Sequence, residues 1–579
     1  MQDLSSFFAQ KIFSAVQTKY EIDSFNVTIE QPKEKSFGDF STNIAMVLCK
    51  KLNMPPRQLA EEIVKTLSDD NSFKSLNTAG PGFINWFVSD AILREQLYFV
   101  LSDEFHNKKT RNGKTINIEY VSANPTGPLH AGHARGAVVG DALARVLDYV
   151  GYDVTKEYYI NDAGNQIVNL AKSLYYRYAQ ILDKELGYTT VPAELPDDMY
   201  PGDYITDMAI NLHNEYGDKF YKKPEHEWLS FFSDYAVNKQ MEIIKQDLLS
   251  LDIKHDVFTS EKDIVNKGTV EECIEFLKSK DLVYYGKLQK PKGKLLDDWE
   301  EREQLLFRSS KFGDDVDRPL QKSDGTWTYF ATDIAYHRDK IERGFDELVD
   351  FWGADHGGYI KRMSSAIEAL TGRNDVFSVK ICQLVKFMDG DKEVKMSKRA
   401  GTFITVRDII EKVGKDVIRF IMLTRKDDAY LDFDFYKVVE QSKENPVFYV
   451  QYALARTYSV LKQFIETFNL TESPDISAAN LKLIDSEQEF HLIKELADWN
   501  NQVAIAAKLR EPHRISFYLY SVASAFHSLW NSGKSEHRLR FVNENDYESS
   551  LAKLALVIAT QKTIETGLSV VGVTPVREL

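Results

Sequence analysis

Between residues 115 and about 390, short apolar runs alternate with longer stretches whose apolar residues recur three and four positions apart. Strands are predicted at 115–121, 154–160, 282–285, 327–331, 347–352 and 378–384. Ile116, Ile118 and Tyr120 alternate as a strand requires, and the Ala-, Val- and Leu-rich run from Ala131 to Val150 has helical spacing. Strands alternating with helices predict a parallel, doubly wound sheet that binds ligands at the carboxyl ends of its strands. Residues 186–265 break the pattern. They are polar, with many Asp, Glu, Tyr and Pro, and predict a largely helical insertion on one edge.

The flanks differ from this centre. Residues 1–108 show helical periodicity at 4–16 and 59–67 and strand-like runs at 25–29 and 82–88, the pattern of a small α+β domain. Residues 33–40 form a charged, turn-prone stretch, and a polar linker spans 106–114. Residues 391–440 carry a lysine-rich loop and a helical connector, and 441–579 is nearly all helical in pattern. The fold class expected is therefore α/β multidomain, with a Rossmann-type parallel-sheet domain at 109–390, an N-terminal α+β domain and a C-terminal all-α bundle.

Charge and cysteine usage narrow the class. Lysine and arginine number 72 against 87 acidic residues, a net charge of −15. An acidic chain objects only mildly to a nucleic-acid partner, because binding needs only a local basic surface. Cys49, Cys273 and Cys382 lie far apart with no C-x-x-C pair, which excludes a zinc ribbon and suits a reducing compartment. No apolar run reaches eighteen residues, and the first residues lack a basic-then-apolar leader. A cytoplasmic protein with no membrane partner is expected, and a monomer, because no heptad seam is visible.

The chemistry concentrates in two short motifs. His130, Ala131, Gly132 and His133 open the small-residue helix directly after a strand and a Pro/Gly-rich turn. Such a turn leaves unpaired backbone N–H groups at the positive end of a helix, an anion site that two imidazoles can complete. Far downstream, Lys395, Met396, Ser397 and Lys398 follow the turn residues Asp389, Gly390 and Asp391. A loop there is suited to bring ammonium groups to a polyphosphate.

These motifs resemble the HIGH and KMSKS motifs of class I aminoacyl-tRNA synthetases, and the whole chain resembles arginyl-tRNA synthetases. Ser122, Ala123, Asn124 and Pro125 resemble that family's S-x-N. Residues 161–166, from Asn161 to Gln166, resemble its N-D-x-G-x-Q, and Tyr329 with Asp333 resembles its Y-x-x-x-D. Residues 446–456 resemble its C-terminal helical bundle of the DALR type, which reads the anticodon, although Ala453 replaces the first Asp of that sequence.

The resemblance implies ATP-dependent attachment of L-arginine to its tRNA through an arginyl-adenylate, with magnesium carried by the ATP phosphates and no metal ligand evident in the protein. His130, Gly132 and His133 would meet ATP, and Lys395, Ser397 and Lys398 the leaving pyrophosphate. Asp333 would read the guanidinium with Tyr329 beside it, on one side of the chain if the segment is helical. Glu119, Ser122, Asn124 and His133 are implied at the amino-acid end. Asp355 and His356 occupy a glycine-rich strand exit and would line the same site, against ATP or arginine. In the N-terminal domain Phe83 would stack a tRNA base and Asn85 would bond its edge, while Trp86 is expected in the core. Asp162 is expected near a helix N-cap, and Arg135 to pair with an acidic neighbour. Three other readings are weaker: a cysteine ligase would need a zinc cluster, which the sequence lacks; a glutamate ligase would want cations where Glu119 and Asp333 stand; and an inactive RNA-binding relative would predict eroded motifs, yet both histidines and both lysines are present.

Overall fold

The structure, a computed structural model, describes residues 3–22, 24–192, 194–196, 198–288, 302–390, 392–394 and 404–579. They form two compact units: Met1–Lys108 with Gln441–Val570 and Thr574–Leu579, and Lys109–Glu440 with Val571–Val573.

The second unit is built on a five-stranded parallel sheet. Its strands are β1 (Thr115–Glu119), β2 (Asp153–Ile160), β3 (Val257–Ser260), β4 (Glu347–Gly353) and β5 (Phe377–Cys382). Their order is β5-β4-β1-β2-β3, so β1 is central, with β4 on one side and β2 on the other. Ile116, Asn117 and Ile118 are wholly buried, as a strand covered on both faces requires. The helices that matter for the site are α1 (Ala131–Tyr149), α2 (Asn165–Leu186), α3 (Glu261–Asn266), α4 (Tyr329–Glu342) and α5 (Ile360–Thr371).

Three expectations are corrected here. Residues 327–331 form no strand: Trp327 makes only an isolated bridge to Gln321, and Tyr329 begins α4. Their aromatic content imitates a strand, but the Thr328 hydroxyl accepts the Ala331 N–H and caps a helix. The run at 282–285 is a strand, Val283–Lys287, yet it pairs antiparallel with Glu303–Phe307 outside the parallel sheet. The stretch 186–265 is helical at Asp203–Tyr216 and Glu225–Ser250, but its last part supplies β3, the edge strand beside β2. A four-residue edge strand carries too little pattern to announce itself.

In the first unit Phe83–Val88 lies between Phe40–Thr42 and Phe73–Ala79 in an antiparallel sheet. Trp86 packs at its centre against Phe8, Phe40 and Phe73. Residues 25–29 form no strand; only Glu30 bridges to Ser41. The helices Pro446–Thr467, Glu487–Ala497, Trp499–Leu509, His513–Ser535 and Tyr547–Val570 make up most of the remainder.

Residues 571–573 belong to the second unit through one buried arginine. Arg419 donates to Asp141 on α1 (2.6 Å), to the Leu251 carbonyl (2.8 Å) and to the Val571 carbonyl (2.9 Å). Burial opposes the charge on Asp141, but Arg419 and Arg145 outweigh it and hold the carboxyl below its ordinary range. Gly572 has φ +72, and a β-carbon there would fall onto the Arg419 guanidinium. Gly572→Ala adds backbone strain and displaces that guanidinium. It is expected to cost about 2 kcal/mol or more, seen as a lower midpoint in thermal denaturation. An unchanged midpoint would show that the arginine moves freely.

Candidate active site

The site begins where β1 ends. Val121 and Ser122 both adopt left-handed backbone, at φ 72 and 38. Non-glycine residues held there cost of order 1–3 kcal/mol each, and a β-branched valine is especially unusual. The turn is held from all sides. Ser122 Oγ donates to Glu119 Oε1 (2.9 Å) and accepts the Tyr159 N–H (3.0 Å). Asn161 Nδ2 donates to the Ser122 carbonyl (3.3 Å), and Tyr158 OH to the Ala123 carbonyl (2.6 Å). Asn124 stays exposed and donates to Gln166 Oε1 (2.7 Å).

The chain then enters α1. The rings of His130 and His133 stack with centroids 3.6 Å apart, and His133 Nδ1 accepts the His130 N–H (3.2 Å). A β-carbon at Gly132 would press on the His130 ring at 3.0 Å, so glycine lets the two imidazoles share the helix start. Ala131 N–H donates to the Ile404 carbonyl, and Val406 N–H to the Leu129 carbonyl, both at 2.8 Å. Residues 404–406 therefore dock beside the histidine motif. Lys395, Ser397 and Lys398 lie outside the described residues. Arg135 is corrected. Among the described residues it meets no carboxylate in hydrogen-bond range, and it donates to the carbonyls of Gln383 (3.0 Å), Lys426 (2.8 Å) and Ala429 (2.6 Å).

A cavity of about 790 Å³ lies at the start of α4, lined by Asn161, Glu261, Tyr329, Asp333, His356 and Tyr359 among others. Tyr329 is 69% exposed at its rim. Asp333, one helical turn on, accepts from the Tyr359 hydroxyl (2.7 Å). Burial pushes the Asp333 carboxyl up, and the Tyr359 bond partly offsets this. Glu261, the first residue of α3, escaped the reading of the sequence, because one acidic residue in an acidic stretch carries no signal. Only the fold brings it beside Asp333. Its carboxyl is pushed up to about 7, first by burial and then by Asp333 and Asp162. Two carboxylates facing one cavity are relieved by a cation. Asp162 caps a helix, but not the one it precedes. It accepts from Ser260 Oγ (2.6 Å) and the Lys262 N–H (2.9 Å) at the start of α3, while Gly164 precedes α2.

The remaining candidates are dispersed. Glu119 is buried beneath Ser122 and accepts from Lys340 (2.5 Å). Asp355 and His356 lie in the helical turn after β4, both largely exposed, and His356 reaches the cavity. Phe83 and Asn85 are in the other unit. Phe83 is half-buried, whereas Asn85 is only 8% exposed, between Ser41 and Asn77 on neighbouring strands.

Three family descriptions cover the chain. Residues 3–88 match the arginyl tRNA synthetase N terminal domain, 96–441 the class I (R) tRNA synthetase catalytic domain, and 450–579 the DALR anticodon binding domain. The chain belongs to the arginyl-tRNA synthetases. It is 49% identical to the arginine–tRNA ligase of Ruegeria pomeroyi over 96% of its length and 95% of that protein's. It is 48% identical to that of Roseobacter denitrificans over 98% and 97%. The arginyl-tRNA synthetase structure from Thermus thermophilus shares the fold, with a TM-score of 0.71 at 20% identity and full coverage of both chains. As a class I synthetase the protein is a ligase. It uses ATP to attach L-arginine to its tRNA through an arginyl-adenylate and releases AMP and pyrophosphate. Among the described residues no helix is long and apolar enough to cross a membrane.

Glu261 gives the site a pH signature. A protonated Glu261 offers a cation nothing, and an ionised one attracts it. Arginine affinity is therefore expected to strengthen as pH rises through about 7, with a proton released on binding. Calorimetry in buffers of different ionisation enthalpy reads both effects. Glu261→Gln should flatten the profile; an identical profile in that variant would remove Glu261 from the recognition of arginine.

Proposed function

We propose that the α4 cavity takes the side chain of arginine, with the guanidinium against Asp333 and Glu261 and its planar face near Tyr329. Arginine is a permanent, planar cation, and carboxylates within bidentate reach are its natural partners. The observation that carries this reading is a pair of carboxylates, half-buried Asp333 and buried Glu261, that line one cavity, with burial disfavouring the charge on each. At the other end, Glu119 faces the α-ammonium, and Ser122 and Asn124 the carboxylate, beside His133.

In this reading ATP lies along the start of α1. The positive end of the helix favours phosphate there, with His130 and His133 donating to phosphoryl oxygens and Gly132 allowing close approach of the base. Lys395, Ser397 and Lys398 meet the departing pyrophosphate, while Asp355 and His356 line the ATP side of the cavity. The arginine carboxylate attacks the α-phosphorus, the bond to pyrophosphate breaks, and the tRNA ribose hydroxyl later displaces AMP. The protein's contribution is positioning and charge neutralisation. Magnesium travels with the phosphates; among the described residues no group of three or more His, Cys, Asp or Glu side chains is arranged to hold it. Residues 1–108 hold the outer corner of the tRNA through Phe83 and Asn85, 109–390 is the catalytic domain, 391–440 the lysine loop and connector, and 441–579 reads the anticodon. The enzyme works as a monomer in the cytoplasm.

Asp333→Asn tests the central assignment. It removes a charge at little steric cost. Losing a charged hydrogen-bond partner costs about 2–4 kcal/mol, or roughly thirty- to a thousandfold. Arginine KM is expected to rise by that order while ATP KM stays within about twofold. An unchanged arginine KM would show that Asp333 is not the reader.

A further inference from the structure

Beneath the site lies a row of charge of which the reading above gives only Glu119 to the substrate. β2, β1 and β4 run in register, with Glu157 beside Glu119 and Glu119 beside Asp350. Register partners on parallel strands point to the same face, so three carboxylates stand side by side. Like charges directly opposite on neighbouring strands destabilise a sheet, and burial adds to the cost. Glu157 is answered by Arg343, which donates to both its oxygens (2.9 and 2.8 Å), and by Thr259 and Asn117. Glu119 and Asp350 share one cation, the wholly buried Lys340, at 2.5 and 3.0 Å.

Lys340 belongs to α4, the helix that carries Asp333. Asp333, His337 and Lys340 are spaced four and three apart, so they share one helix face. His337 spans between Asp350 Oδ2 (2.9 Å) and the Asp333 carbonyl (2.8 Å). An unbroken chain of contacts therefore runs from Asp333 through His337, Asp350 and Lys340 to Glu119 and Ser122.

We propose that Lys340 and Asp350 are positioning residues that set the span between the two ends of the amino-acid site, and thereby the length of side chain the enzyme accepts. The inference rests on the assignment of Asp333 and Glu119 to opposite ends of arginine made above. Asp333 is fixed to α4 by the backbone. Glu119 is fixed to the same helix by the Lys340 ion pair, and Asp350 keeps Lys340 from swinging. The span is thus measured along one rigid helix, and a side chain one methylene longer or shorter cannot engage both ends together.

The test uses the full-length enzyme with tRNA for arginine. It compares kcat/KM for arginine, homoarginine and 2-amino-4-guanidinobutanoate, which are one methylene longer and one shorter. One methylene is worth about 10- to 200-fold in a fitted pocket. Lys340→Met should narrow the preference for arginine over both homologues by about tenfold or more. Because that variant leaves two buried carboxylates without a cation, it can fail to fold; the isosteric Asp350→Asn, which touches no substrate, should then narrow the preference in the same direction. A variant that merely damages the fold would lower all three rates in proportion. Glu119→Gln separates the two claims. If Glu119 reads the α-ammonium, KM rises for all three amino acids. If it leaves every KM unchanged, the reading of Glu119 fails, and the length-setting role with it. If Glu119→Gln raises KM while folded Lys340→Met and Asp350→Asn keep the wild-type preference, the length-setting role alone is overturned.

Discussion

The packing of β1 between two parallel neighbours is the constraint on which the catalytic unit depends. In a parallel sheet every strand ends at the same edge, so every chain reversal that follows a strand gathers there. β1 is buried along its length and cannot shift register without exposing Ile116 and Ile118. Its exit is therefore fixed, and the chain turns away from the strand end at once on its way to α1. That is where the strained Val121 and Ser122 sit. The hydrogen bonds converging on Ser122 and Ala123 come from β2 and its exit loop. The sheet itself therefore offsets the strain, and the histidine motif is delivered to a fixed place.

The second organising principle is the pairing of charge by region. The chain carries a surplus of fifteen negative charges, yet its substrates include an anionic nucleotide and an anionic RNA. In the proposed reading, the acidic residues that line the cavity meet the cationic end of the substrate. Asp333 and Glu261 face the cavity, and burial makes both reluctant to ionise until a cation arrives. Beneath them the charges are satisfied internally, as Asp350 illustrates. Burial would raise its carboxyl, but Lys340 and His337 hold it down at about 2. One layer of the unit is left with charge to offer and the next is closed.

How much of this was legible depended on whether a feature is local. The histidine motif, its strand and its helix are contiguous, and periodicity with turn chemistry sufficed to read them. Lys340, His337 and Asp350 gave no signal. Each is an ordinary charged residue in a charged stretch, and only the register of β4 against β1 makes them neighbours. Arg135 shows the same limit from the other side. An arginine after a helix start suggests a carboxylate partner, but the carbonyls it binds come from segments about 250 to 290 positions away. Asp162, expected near a helix N-cap, lies two residues before Gly164 at the start of α2 and also accepts the Lys262 N–H of α3, a contact that only the pairing of β2 with β3 creates.

The misread segment 327–331 shows how a wrong element can still bring two residues to one cavity. Tyr329 and Asp333 are four apart, and a spacing of four returns to the same face in a strand of period 2 and in a helix of period 3.6. What differs is distance. Four residues span about 13 Å in a strand and about 6 Å in a helix, and only the shorter span lets both groups face one cavity of this size. The spacing of seven from Asp333 to Lys340 does discriminate. It is two helical turns, on one face, whereas in a strand it would put the two side chains on opposite faces. The single hydroxyl of Thr328, by capping the helix where it does, thus gathers Tyr329 and Asp333 at one cavity and, in the proposed reading, places the residue reading one end of the substrate and the residue holding the other on one rigid element.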